Sequence, residues 1–145
     1  MPESELMKLS SIFRSLIKMM TQEWNKRMVH NLTFSQCRVL FRLHSIGPMK
    51  VSELADALSF TSGAITGITD KLIAAGFAVR TRAEDDRRVV YVEITPKGRE
   101  ALDEIQEKQQ EMIAVFFEWL SDEDRQHLTR IFTQILDKVE EYQKE

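Results

Sequence analysis

Thr61-Ser-Gly-Ala-Ile-Thr-Gly-Ile-Thr-Asp-Lys-Leu-Ile-Ala-Ala-Gly76 is the stretch whose reading decides the fold. Ile65, Ile68, Leu72 and Ala75 recur at helical spacing, so one stripe of this segment is expected to seat on a core. The opposite face carries Gly63, Thr66, Gly67 and Asp70, with Ser62 beside them at the helix start. A face meant only for solvent normally carries Lys, Glu or Arg. Glycines and small hydroxyls instead let a helix approach another surface closely, as a reader of the DNA major groove must. The competing reading is a helix that packs on both sides, and the flanking sequence arbitrates between the two.

Upstream, Thr33-Phe-Ser-Gln36 has the form of a capping box, and Gly47-Pro48 closes the helix it opens. Val39, Leu40, Leu43 and Ile46 are its expected core residues. Met49-Lys-Val51 reads as a short extended link, and Ser52 as the cap of a short helix, Glu53–Leu58, with Leu54, Ala55 and Leu58 inward. Two short helices joined by Ser59-Phe-Thr61, the second with a small polar outer face, form a helix-turn-helix pattern. Downstream of Gly76 the apolar period drops to two. Phe77–Thr81 and Val89–Ile94 read as strands around the polar loop Arg82-Ala-Glu-Asp-Asp-Arg-Arg88, which makes a hairpin wing. Thr95 and Pro96 then suit the N-cap and first position of a long helix.

That helix has Leu102, Ile105, Met112, Ile113, Phe116 and Leu120 in its stripe, running to Ser121. Ser121-Asp-Glu-Asp124 caps the last helix and sets carboxylates at the positive end of its dipole. Residues 3–29 form a first helix with a wide apolar stripe from Leu6 to Met28. The expected organisation is an N-terminal dimerisation helix over 1–32, a winged helix-turn-helix over 33–96 and C-terminal dimerisation helices over 97–145, in one continuous unit. The fold class is mainly α with a small β-hairpin.

Composition narrows the function. The net charge of −3 divides into +3 over residues 1–60, +2 over 61–99 and −8 over 100–145. A weakly basic body permits DNA binding, because phosphate contacts depend on local field rather than total charge. The single cysteine excludes an internal disulfide framework and fits a reducing cytoplasm. No apolar run reaches membrane-spanning length, and no signal-peptide pattern opens the chain. A phosphate-binding glycine loop, a nucleophile–base–orienter trio and a paired-carboxylate signature are all missing, which argues against an enzyme.

Residues from about 33 to 102 resemble the MarR family of bacterial transcription regulators. The resemblance rests on Val51-Ser-Glu-Leu-Ala-Asp-Ala-Leu58, Ser62-Gly-Ala-Ile-Thr-Gly-Ile-Thr-Asp-Lys-Leu72, Ala75-Gly-Phe77, Asp86-Arg-Arg88 and Ile94-Thr-Pro-Lys-Gly98, in that order and spacing. It implies a dimeric winged helix-turn-helix repressor or activator, often controlled by a small aromatic ligand or by oxidation. It also implies that the helix matching 62–75 enters the major groove, that Arg88 enters the minor groove, and that Asp86 holds Arg88. The chain departs from the pattern at Ala83 and Asp85, where relatives often carry Asp and Arg; Glu84-Asp-Asp86 softens the wing's positive field.

The candidate DNA-contacting residues are therefore Thr61, Ser62, Gly63, Thr66, Gly67, Asp70 and Lys71 on the helix, and Arg82, Asp86, Arg87 and Arg88 on the wing. Arg38, Arg42 and Lys50 are candidates for phosphate contact, which positions without specifying. Met20, Trp24, Met28, His30, Phe41 and His44 are candidates to line an effector pocket of apolar walls and polar handles, although such clusters are more often plain core. Leu9, Ile12 and Phe13, with Leu128, Ile131, Phe132, Ile135 and Val139, are candidates for a dimer interface. No cofactor is expected beyond a small aromatic effector, and the expected partners are double-stranded DNA and a second copy of the chain. Two alternatives stand beside this reading. One is a winged-helix protein-interaction module, suggested by the acidity of residues 100–145. The other is a thiol or metal sensor using Cys37, which lies seven residues from His44 on one helix.

Overall fold

Among the described residues, six helices and one hairpin follow in the order α1 (Glu3–Arg27), α2 (Phe34–Ile46), α3 (Val51–Leu58), α4 (Ser62–Ala74), β1 (Ala78–Arg82), β2 (Val90–Ile94), α5 (Pro96–Phe117) and α6 (Asp122–Lys144). The computed structural model describes residues 3–144. The chain divides into two compact units, residues 1–109 and 110–145, with the division inside α5.

In the first unit the core gathers one stripe from each of α2, α3 and α4, the inner face of the hairpin and the start of α5. Leu40, Leu43, Leu54, Ile65, Leu72 and Val92 are its largest fully buried side chains. Trp24, Met28 and Val29, at the end of α1 and just beyond, pack against this core. β1 and β2 pair antiparallel, with Arg80 opposite Val92 and Arg82 opposite Val90. Met49 adds a single bridge to Val92 through two backbone hydrogen bonds, so the expected extended link holds for Met49 and Lys50 but not for Val51, which opens α3.

Local chemistry sets the helix ends. Thr33 accepts from the N–H of Gln36 while the Gln36 side chain accepts from the N–H of Thr33, the reciprocal pair of a capping box. Thr95 Oγ1 accepts from the N–H of Gly98, and Ser121 Oγ from that of Asp124. α3 begins earlier than expected. Its N-cap is Lys50, not Ser52, because the Glu53 carboxylate accepts from the Lys50 N–H at 2.9 Å and so winds Val51 and Ser52 into the first turn. The turn between α3 and α4 passes through Ser59 in the left-handed region (φ 59°), whose N–H reaches back to Ala55 O.

Two expected core residues are exposed. Ile46 is 61% accessible at the last position of α2, where the helix has run past the core, and Ala75 caps α4 in solvent. In place of Ala75, Thr69 is the third buried residue of α4. Its hydroxyl donates to the Ile65 and Thr66 carbonyls, which removes the cost of burying it.

In the second unit α5 ends at Phe117, short of Ser121, and α6 carries no buried residue at all. Ile131, Phe132, Ile135, Leu136, Val139 and Tyr142 stand exposed along it at three- and four-residue spacing. In the first unit Leu6, Leu9, Ile12, Phe13 and Ile17 are likewise exposed along α1. Among the described residues no helix is long and apolar enough to cross a membrane.

Candidate nucleic-acid interface

α4 starts at a clean cap: Thr61 Oγ1 accepts from the Ala64 N–H at 3.2 Å. Ile65, Thr69 and Leu72 pin the helix to the core, which turns Ser62, Gly63, Thr66, Gly67, Asp70 and Lys71 outward. A Cβ added at Gly63 or Gly67 would meet no described atom within 4 Å, so these glycines leave real clearance on an exposed face. The Thr66 hydroxyl donates to Ser62 O at 2.8 Å. That bond fixes its rotamer and leaves the oxygen free to accept. Such a face is narrow and uncharged at its front end, and its contact groups are a methyl, a hydroxyl and bare backbone.

The wing is held from within. Asp86 accepts from Arg88 at three points: the backbone N–H at 3.0 Å, Nε at 3.0 Å and Nη2 at 3.1 Å. The Arg88 guanidinium beside it, then its backbone N–H, hold the Asp86 carboxyl below its ordinary range, and Asp86 raises Arg88 in return. The Arg88 side chain is still 90% exposed, so the fork is oriented yet free to meet a ligand. Arg82 Nη1 donates to Arg87 O at 2.7 Å and, with the Ala83 N–H bond to Val89 O, closes the loop. Arg82 thereby braces the tip, while Arg87 is exposed upon it.

Behind this face lies a junction that joins α4 to α5. Gly76 turns the chain at φ +85°, and Phe77 then buries its ring. Thr95 donates from its hydroxyl to Gly76 O at 2.6 Å and from its N–H to Phe77 O at 3.1 Å. Lys97 Nζ donates to Ala75 O at 2.8 Å and sits 5.0 Å from the centre of the Phe77 ring. A cation at that end of α4 also suits the helix dipole. The His30 ring also meets Phe77, edge-on at 5.6 Å, and His30 Nε2 lies 2.8 Å from the Glu104 carboxylate on α5.

The remaining candidates are more dispersed. Arg38 donates to Leu58 O at 3.1 Å and stacks 5.2 Å from the Phe60 ring, so it ties α2 to the end of α3. Arg42 is half-buried with its Nε lacking a hydrogen-bond partner, and Lys50 is exposed at the start of α3. Of the pocket candidates, Trp24, Met28 and Phe41 pack on the core, whereas His30 and His44 are exposed and Met20 is half-buried. Trp24 packs its ring edge-on against Phe34 at 5.5 Å, and its Nε1 has no protein acceptor. Cys37 and His44 do not converge. Cys37 is buried, and burial pushes its thiol up to about 11, which is the opposite of what a reactive thiolate needs. Among the described residues no group of three or more His, Cys, Asp and Glu side chains is placed to hold a metal ion.

Two residues near this face were not singled out from the sequence. Arg80 on β1 forms an ion pair with Asp70 on α4, and Lys97 caps α4 from another helix. Neither has a spacing rule of its own. Arg80 follows the end of α4 by six residues, whereas Lys97 lies beyond the whole hairpin, so only the fold brings it to that helix end.

Comparison with known proteins agrees with this geometry. Residues 32–90 match the model of the MarR family. The HTH-type transcriptional regulator YpoP of Bacillus subtilis is 29% identical over 127 residues, which cover 88% of this chain and 90% of that protein. The HTH-type transcriptional repressor MdtR, also of Bacillus subtilis, is 26% identical over 137 residues, 94% of this chain and 86% of MdtR. Among solved structures, the transcriptional regulator BldR from Sulfolobus solfataricus superposes with a TM-score of 0.69 at 30% identity, covering 95% of this chain and 99% of BldR.

Proposed function

Because the chain belongs to the MarR family of winged helix-turn-helix transcription regulators, we propose that it acts in the cytoplasm as a symmetric dimer on a pseudo-palindromic operator in double-stranded DNA. The observation that carries this reading is the pairing of two exposed surfaces in the first unit. One is the clear, small-residue face of α4; the other is the wing that presents Arg88 on an Asp86 brace. Ser62, Gly63, Thr66 and Gly67 read base edges in the major groove, with Thr61 and Lys71 at the helix ends on the backbone. Arg88, flanked by Arg82 and Arg87, enters the adjacent minor groove, where a narrow groove attracts arginine. Lys50 and Arg42 add phosphate contacts, and Arg38 acts by fixing α2 on α3.

The second copy is supported by apolar area. α1 and α6 each leave a row of large hydrophobic side chains in solvent, more than a monomer usually exposes in contiguous patches. Leu9, Ile12 and Phe13 on α1, and Leu128, Ile131, Phe132, Ile135 and Val139 on α6, would be buried between protomers. Twofold symmetry then sets two α4 helices about one turn of DNA apart. Repression is the sign this reading favours, in line with MdtR, since a dimer lying over two grooves occludes the duplex. An effector would enter beside Trp24, Met28 and Phe41, with the unpartnered Trp24 Nε1 as its donor; an aromatic ring bearing an acceptor fits that chemistry.

The test is selection of duplexes from a random pool, followed by titration of the winning site at several salt concentrations. The expected result is an inverted-repeat motif bound with an affinity that falls steeply as salt rises, through counterion release. No selected motif, or binding indifferent to salt, would favour the protein-interaction reading and remove this one. Phenolic acids added to the same titration test the effector, with a change in operator affinity as the expected readout.

A further inference from the structure

The first turn of a helix favours acidic side chains, because its unbonded N–H groups leave positive charge at that end. α6 obeys the rule with Asp122, Glu123 and Asp124. α5 breaks it: its first turn holds no acid, and its second residue is a cation, the exposed Lys97. A residue that offends its own helix is explained by what it does for another element. Lys97 Nζ donates to Ala75 O at 2.8 Å, the C-cap carbonyl of α4, where the dipole is negative and a cation is favourable. The same ammonium lies 5.0 Å from the centre of the Phe77 ring. Its stem runs close along Gly76, where a built Cβ would touch Lys97 Cδ and Nζ at 3.6 Å.

Thr95 takes the next two carbonyls, Gly76 O through its hydroxyl and Phe77 O through its N–H. The carbonyls of 75, 76 and 77 are therefore all held from the root of α5. Between these segments lies the hairpin, whose basal pair is Ala78 and Ile94. Thr95 closes the hairpin's base, and Lys97 reaches further back, to the end of α4 itself. The tilt of α4 against the wing decides whether the helix and Arg88 can enter adjacent grooves together. We propose that Lys97 is a positioning residue of the DNA interface: by fixing the far end of α4 to the root of α5 it sets that tilt, and with it the discrimination between operator and other DNA. This rests on the DNA-binding reading above. Lys97 acts through Ala75 and Phe77, not through a phosphate contact of its own.

The experiment compares wild type, Lys97→Met and Lys97→Arg on a duplex selected by the wild-type protein and on a shuffled duplex of the same composition, each over a series of salt concentrations. Thermal melts establish folding, and hydrogen exchange at the amides of residues 75–77 reports on the end of α4. Lys97→Met, which loses the charge and the donor, is expected to bind the selected duplex about ten-fold more weakly, the worth of one misplaced base contact. On the shuffled duplex it should stay within about two-fold of wild type, with an unchanged salt slope, because no phosphate contact is lost. Its amides at 75–77 should exchange faster. Lys97→Arg, which can serve both the carbonyl and the ring, should stay within about three-fold of wild type. A direct phosphate contact would instead weaken both duplexes together and lower the salt slope by about one. That result overturns the idea. So does Lys97→Met binding or exchanging like wild type, or failing to fold, or Lys97→Arg binding as weakly as Lys97→Met. A wild-type protein that selects no duplex overturns the DNA-binding reading itself, and this inference with it.

Discussion

Replacing Gly98 by alanine puts two physical rules in opposition. Gly98 is the third residue of α5, where helix propensity alone favours alanine over glycine by up to about 1 kcal/mol. The structure predicts the reverse. A Cβ built at Gly98 lies 2.2 Å from Phe77 O, 2.7 Å from Ile94 Cγ1 and 3.2 Å from Phe77 C. The crowding atoms are mainly backbone, and that backbone is held by the Thr95 N–H on Phe77 O and the Thr95 hydroxyl on Gly76 O. Relief needs a shift of roughly 1 Å, which overpacking data put at about 1–3 kcal/mol. One or two of the junction's hydrogen bonds would loosen as well, at about 1 kcal/mol each. The net loss should be about 2–4 kcal/mol once the propensity gain is subtracted. Urea unfolding followed by circular dichroism measures it, at one fixed protein concentration because association between copies would add to apparent stability. Gly67→Ala is the internal control. Its Cβ meets open space, so the same substitution should there stabilise by about 0.5–1 kcal/mol. A Gly98→Ala protein as stable as wild type would refute the argument from backbone crowding.

Three further outcomes follow. Arg88→Ala should weaken operator binding by about 1–3 kcal/mol in a gel-shift titration while leaving the melting temperature unchanged, since its side chain is 90% exposed and bonds Asp86 within the same exposed loop; unchanged affinity would remove the wing from the interface. Ile135→Glu on α6 and Phe13→Glu on α1 should each shift the protein toward monomer in light scattering, with operator affinity falling in parallel; a dimer that survives both places the interface elsewhere. Cys37 should resist thiol-specific reagents at neutral pH, and its raised pKa has a definite sign in stability. The folded thiol keeps its proton up to about 11 whereas the unfolded one loses it near 9, so this contribution is full below pH 9 and is lost as pH rises toward 11. Wild type minus Cys37→Ala should show that loss, about 2–3 kcal/mol in all, and a flat difference would contradict it.

Much of the fold was legible because its signals are local. Thr33, Thr61, Thr95 and Ser121 all sit at helix starts, where a side-chain oxygen three residues ahead of an N–H satisfies it. The switch of period after Gly76 placed the hairpin to within a residue at each boundary. The misses are of another kind. Periodicity says which face of a helix is apolar, but not where the helix leaves the core, so Ile46 and Ala75 were read inward. Ser52 looked like a cap because serine often is one. The Glu53 carboxylate reached Lys50 and started the turn earlier. Thr69 stands in neither the apolar stripe nor the outward face that periodicity defines, yet two carbonyls of its own helix make it a fit core residue. The Asp70–Arg80 pair and the Lys97 cap depend on how a helix, a strand and a second helix lie against each other. No spacing along one segment encodes that.

The ring of Phe77 meets chain from both directions: His30, where the first helix gives way to the second, and Lys97, at the root of the fifth. It follows α4 by three residues, so the rod that would lie in the groove is tied at its far end to the chain on both sides of it, beyond the core residues Ile65, Thr69 and Leu72 that seat it. Movement of the chain at either flank of α4 has a short mechanical route to this helix, through one aromatic pin and its two neighbours. Substitutions that weaken DNA grip while leaving every groove-facing residue of α4 in place should accumulate around this pin.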